Sequence, residues 1–197
     1  MPLQARAAVT VEVILEAAIH ILLSNGFDQM STTRIAERAG VSVGSLYQYF
    51  PNKRALLAAL VRRHVGLVAD RVEQACAGCH GATLATMCKV AINAFIDAKT
   101  ERIDISRALY LPAAMAGGAD IVRTESERVR KAFKAMLETA SDIAVNQPDV
   151  ASAVVVSAVV GPVQMALESG ADAGQISHLR VHLTDLCVGY LREINRH

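Results

Sequence analysis

At 197 residues the chain is long enough for one good core, or for a small domain joined to a larger one. With 52% apolar and 20% charged residues it is not a disordered chain, and the absence of Trp beside four Phe and four Tyr leaves a core of Ala, Val, Leu and Ile that favours helices. A net charge of +1 does not single out a nucleic-acid-binding protein, but residues 1–65 carry seven Arg/Lys against four Asp/Glu, so the N-terminal third is the positive end.

The N-terminus, "MPLQARAAVTVEVILEAA", sets acidic residues inside its apolar pattern and does not read as a signal peptide. From Val11 to Leu23 apolar residues recur at three and four, the pattern of a helix with one buried face, and Asn25-Gly26 ends it. Ser31 or Thr32 caps a short helix over Thr33 to Ala39, which Gly40 stops. Ser42 caps a second short helix, Val43 to Tyr49, and Pro51-Asn52 precedes a longer one beginning at Lys53. Further helices are expected over 82–100, 104–109, from Gly118 toward residue 140, over 150–167 and over 175–196. The run from Val150 to Leu167 is rich in valine, but it is too long for a typical strand. Ser152, Ser157, Gly161, Pro162 and Gln164 interrupt it, so a buried helix is expected rather than a membrane span.

Two short helices separated by "AGVS" match helix-turn-helix geometry. Ile35, Ala36, Ala39, Val41, Leu46 and Phe50 would pack inward. Ser42, Val43, Gly44, Ser45, Tyr47, Gln48 and Tyr49 are then spread over the remainder of the second helix. Small and hydroxyl-bearing residues let a helix enter the major groove closely, where Ser or Val can meet base edges or a thymine methyl. Tyr47 and Lys53 can reach phosphate from either side.

Over residues 14–60, "ILEAAIHILLSNGFDQMSTTRIAERAGVSVGSLYQYFPNKRALLAAL", the chain resembles the TetR family of bacterial transcriptional regulators. The resemblance is carried by Ala17-Ala18, Gly26-Phe27, Thr32-Thr33, Ile35-Ala36, Ala39 to Ser42, Leu46-Tyr47, Phe50, Lys53 and Leu56-Leu57. It implies an all-α fold of about nine helices, with a helix-turn-helix DNA-binding domain over 1–53 and a helical ligand-binding and dimerisation domain over 54–197. It also implies a homodimer that binds palindromic or near-palindromic double-stranded operator DNA, a repressor released by a small-molecule effector. A cytoplasmic location is expected from the N-terminal pattern and the interrupted 150–167 run. Phosphate contacts are implied at or near Thr32, Thr33, Tyr47 and Lys53, and groove-facing positions at Val43, Gly44 and Ser45. Arg34 is a further contact, Ser42 caps the reading helix, and Tyr49 stands where the pattern often has histidine.

In the C-terminal part, Met87, Phe95, Tyr110, Met115, Phe133 and Met136 are the bulky or soft residues that would line an effector pocket, and equally the expected core of a tryptophan-free helical domain. No acidic cluster matches a cationic ligand, so the expected effector is uncharged and largely apolar. Apolar residues recurring at three and four put a homodimer interface on the last two helices, at Val155, Val159, Val163, Leu167, Leu179, Leu183, Leu186 and Tyr190.

"CAGCH" at 76–80 spells a haem-attachment signature, and Cys76, Cys79 and His80 could start a zinc site or form a redox pair. Small residues at a helix end are the expectation instead, with no metal and no cofactor. An enzyme is not expected: His64, His80, His178 and His182 accompany no nucleotide loop, nucleophile elbow or metal-hydrolase motif. A helical scaffold or sensor without specific DNA binding would have lost the basic and hydroxyl residues at 32–53, which are present.

Overall fold

The computed structural model describes residues 2–115 and 117–196, and the side chains of residues 2–5, 111, 112 and 115 are outside it. All regular structure among the described residues is α-helical. The elements are α1 (Pro2–Asn25), α2 (Thr32–Ala39), α3 (Val43–Tyr49), α4 (Lys53–Ala77), α5 (Leu84–Glu101), α6 (Ile103–Ala108), α7 (Tyr110–Met115), α8 (Gly118–Leu137), α9 (Pro148–Glu168) and α10 (Ala173–Glu193). Most bounds fall within two or three residues of expectation, and two features depart further. Helix α1 begins at Pro2 rather than Val11, and α7 follows α6 after one residue. Pro112 falls in the first turn of α7, where its missing N–H has no helical partner to lose.

The chain forms two compact units, residues 1–64 with 104–122, and residues 65–103 with 123–197. In the first, α2 packs on both α1 and α3. Ile14, Ala18, Ile35, Leu46, Leu56 and Leu60 are among its most deeply buried side chains, each at 1% exposure or less. Glu12 and Glu16 of α1 both pair with Arg63 of α4. At the end of the unit, Gly117 takes a positive φ of 72°. At Gly118 an added Cβ would collide with the Ala113 carbonyl, so only glycine lets α7 turn into α8 so tightly.

In the second unit α10 packs on α5 and α9. Val155, Val159, Val163 and Leu167 recur every four residues and are all buried, as are Leu183, Cys187 and Leu191 of α10. Polar bonds fix the arrangement at its rim. Arg180 donates to Asn93 Oδ1 at 3.1 Å and Asp97 Oδ1 at 2.7 Å. Arg128 joins α8 to α4 through Asp70 and Glu73, at 2.7 and 2.6 Å. Asp149, in the first turn of α9, receives Lys134 at 2.7 Å and Arg130 at 3.2 Å, which holds its carboxyl below the usual range. Asp172 and Gln175 form a capping box that starts α10. By length and composition alone, residues 6–25 and 148–168 could each cross a membrane. Within this fold each packs its buried stripe against a neighbouring helix.

Candidate nucleic-acid interface

Local chemistry sets the angle between α2 and α3. Ser31, in extended backbone, accepts from Arg34 N at 3.3 Å and caps α2. Gly40 ends that helix at φ 66°, ψ 29°, a left-handed conformation that favours glycine, and its N–H and that of Val41 close back onto Glu37 O and Ala36 O. Ser42 then caps α3, its Oγ receiving Ser45 N at 3.0 Å. Ile35, Ala36, Leu46 and Phe50 are buried, as their pattern requires; Ala39 and Val41 are half-buried in the bend.

Thr33, Arg34, Ser42, Val43, Gly44, Tyr47 and Gln48 are exposed, and Thr32, Ser45, Tyr49 and Lys53 are half-buried. Thr32 Oγ1 and Tyr47 OH lie 3.2 Å apart, so the start of α2 and the middle of α3 present two hydroxyls together. Either can donate to an incoming phosphate oxygen. Ser45 is less free than its sequence position implies, because its hydroxyl lies 2.8 Å from Ser42 Oγ. Arg34 is steered by Gln29, whose carbonyl and side-chain oxygens accept from its Nη1 at 3.4 Å.

Lys53 has a role that sequence spacing did not reveal. Its Nζ donates to Phe27 O at 3.4 Å and stands 4.5 Å from the centre of the Phe27 ring. The ammonium is therefore held over the α1–α2 loop by a carbonyl and a ring face, with its charge kept at the surface. A second feature of this unit is an open cleft of about 560 Å³, lined by Glu12, Val13, Glu16, Ala17, His20 and Arg38. His20 is thus at a surface between α1 and α2, not in the core.

The residues expected around an effector are divided. Met87, Phe133 and Met136 are buried and Phe95 is half-buried in the second unit, whereas Tyr110 belongs to the first. The Met115 side chain is outside the described residues. Among the residues expected at a dimer interface, Val155, Val159, Val163, Leu167 and Leu183 are buried within the single chain. Their periodicity reflects packing of α9 and α10 inside one subunit. Leu179 and Tyr190 are half-buried, and Leu186 is 56% exposed. The apolar side chains that α9 and α10 leave outside are Val150, Val154, Met165, Val181 and Leu186. Helical periodicity identifies an apolar stripe but not which body covers it.

All four cysteines are free thiols. Burial pushes Cys76 and Cys88 up to about 12 and Cys187 to about 11, the opposite of what a reactive thiol or metal ligand requires. Cys79 is half-buried and His80 exposed. Among the described residues no group of three or more His, Cys, Asp or Glu is placed to hold a metal ion.

Comparison with known proteins agrees with this geometry. Residues 14–60 match the family model "Bacterial regulatory proteins, tetR family", and residues 83–191 match "Tetracyclin repressor-like, C-terminal domain". The fatty acid metabolism regulator protein of Bacillus subtilis is 36% identical over 61 residues, 31% of either chain. The match thus spans less than a third of that relative. Two solved structures share the fold across nearly the whole chain. One, from Mesorhizobium loti and of the TetR family, has a TM-score of 0.75 at 20% identity, covering 96% of this chain and 98% of its own. The other, FadR from Bacillus subtilis in complex with stearoyl-CoA, has a TM-score of 0.71 at 17% identity, covering 90% and 97%. With residues 14–60 and 83–191 both matched by models of one family, and a capped helix-turn-helix within the first match, the chain belongs to the tetR family of bacterial regulatory proteins.

Proposed function

We propose that the protein is a homodimeric, sequence-specific DNA-binding transcriptional regulator, a repressor that leaves its operator when a small molecule binds. The observation that carries this reading is the outer face of α2 and α3. Two doubly capped helices meet at a left-handed glycine and turn outward the paired hydroxyls of Thr32 and Tyr47 beside Val43 and Gly44. Thr32, Thr33, Arg34, Tyr47, Tyr49 and Lys53 are assigned to phosphate and groove-edge contacts, and Val43, Gly44 and Ser45 to the groove, with Ser42 as cap. In functional terms residues 1–53 are the reading head, and 54–197 the regulatory and dimerising body. A protein with this task acts in the cytoplasm.

One reading head with few basic residues would bind weakly, so two are needed, about 34–36 Å apart for successive turns of DNA. We assign the contact between subunits to the exposed side of α9 and α10. Val154, Met165, Val181 and Leu186 are apolar there, and at Gly161 and Gly189 an added Cβ would meet nothing within 4 Å of its own chain. Bare helix surface of that kind admits a close neighbour. The effector is taken to be uncharged and largely apolar, since Met87, Phe133 and Met136 give the body a soft interior.

The test uses the full chain with fragmented genomic DNA, followed by footprinting of the retained fragments. Short, near-palindromic footprints that weaken steeply with salt are expected, and retention without any shared sequence would refute the regulator reading. Titration of apolar compounds with and without the recovered operator then tests release. An inducer must bind more weakly to the operator complex by the same factor by which it weakens DNA binding.

A further inference from the structure

Glycine opens an exposed helix at a position where nothing in the protein requires it. Gly44 is the second residue of α3, its φ is not positive, and an added Cβ would lie 3.8 Å from Ser42 Oγ and meet nothing else within 4 Å. Alanine fits there, and would strengthen a seven-residue helix that glycine weakens. The fold therefore gains nothing from the bare backbone at residue 44. Any advantage must come from a body outside the chain that approaches this face.

One turn further along the same face stands Gln48, since residues four apart on a helix are neighbours. Its side chain is exposed, and no described side chain engages its amide. Of the other exposed residues of α3, Val43 and Gly44 carry no polar side-chain group and the Tyr47 hydroxyl already has a partner. Of the half-buried ones Ser45 has a partner too, and Tyr49 offers a single phenol oxygen rather than a planar donor–acceptor pair. Ser45 lies against Ser42, Tyr47 against Thr32, and Val43 offers only an apolar surface at 37% exposure. Gln48 is thus the outward side chain of α3 that keeps both a donor and an acceptor available on one planar group.

We propose that Gln48 is a specificity-determining residue that reads an adenine in the major groove, and that bare Gly44 supplies the clearance that lets it reach. The Gln48 amide nitrogen donates to adenine N7, and its oxygen accepts from the N6 amino group, a two-point match that no other base edge offers in the same orientation. A methyl at residue 44 lifts α3 from the groove floor and takes Gln48 out of range. The inference rests on the regulator reading above.

The experiment is selection of binding sites by the full-length protein from a duplex library of random sequence, followed by titration of the selected duplexes. Gln48→Ala is expected to lose preference at one base pair in each half-site and to bind the best site about 5- to 150-fold more weakly, with the other positions unchanged. Gln48→Glu should move that preference from adenine to cytosine, whose amino group a carboxylate accepts, an exchange that no structural role produces. Gly44→Ala should melt about 1–3 °C higher than wild type yet bind every duplex more weakly, and adding Gln48→Ala in that background should cost little more. Recovery of the wild-type site by Gln48→Ala, with unchanged ranking, would overturn the inference, as would wild-type affinity in Gly44→Ala. If the wild-type protein itself selects no sequence, the regulator reading fails first.

Discussion

Placing a carboxylate on α9 or α10 has opposite consequences on the buried and the exposed face of the helix. At Val159, which is 6% exposed, a glutamate enters the core shared with α10. Burying an unpaired carboxylate costs several kcal/mol, comparable with the roughly 5–15 kcal/mol that holds a whole domain together, so Val159→Glu should unfold the subunit. Met165 and Leu186 are 68% and 56% exposed, and glutamate there leaves the single chain within about 0.5 kcal/mol of its starting stability. Between two subunits the same residues count heavily. Burial of a Met or Leu side chain stabilises by about 1.5–3 kcal/mol in full, so the exposed fractions correspond to roughly 1–2 kcal/mol each. Twofold symmetry repeats both residues, for about 4–8 kcal/mol lost, before any repulsion among the new charges. Since each 1.4 kcal/mol is tenfold, Met165→Glu with Leu186→Glu should raise the dimer dissociation constant by at least about a thousandfold. Sedimentation velocity at micromolar concentration should then give dimers for wild type and folded monomers for the double variant. Circular dichroism should retain the helical content of the double variant and lose that of Val159→Glu. A double variant that still sediments as a dimer would place the interface elsewhere, and a wild-type monomer would remove it.

Lys53→Ala should weaken binding to all duplexes alike and reduce the slope of affinity against salt by about one, whereas Phe27→Leu, which removes the ring beneath the ammonium but keeps the charge, should leave the slope unchanged; a change in base preference with Lys53→Ala would contradict a phosphate role. Among the thiols, brief alkylation of the native protein at pH 8 should label Cys79 and spare Cys76, Cys88 and Cys187, as mass spectrometry of the digested chain would report. Those three buried thiols keep their protons to about pH 11–12 in the folded chain, while the unfolded chain releases them from about pH 9, so unfolding is proton-releasing above pH 9 and stability should fall from there upward. Denaturant melts at pH 8 and pH 10 on the wild type and on Cys88→Ala would check the sign, and an unchanged pH dependence in the variant would clear Cys88 of any part in it.

Most helix positions and the helix-turn-helix were legible in the order of residues, because the signals that define them are local. Caps at Ser31 and Ser42, the left-handed stop at Gly40 and the three-and-four spacing of apolar residues all act within a few positions of themselves. The aspartate–glutamine capping box of α10 was present in the same local code and could have set the start of that helix at Ala173. What only tertiary structure decided depends on which surfaces meet. A valine stripe on α9 has the same periodicity whether its neighbour is α10 or a second subunit; only packing placed Val155, Val159 and Val163 inside one chain and left Met165 outside. The hold of Phe27 on Lys53, 26 residues away in sequence, and the meeting of Thr32 with Tyr47 likewise exist only once the helices have docked. Residues 104–122 are compact with 1–64 rather than with the segments that flank them. Local sequence determines where a helix starts and which of its faces is apolar; the partner of that face is chosen by the rest of the chain, through contacts that have no period to read.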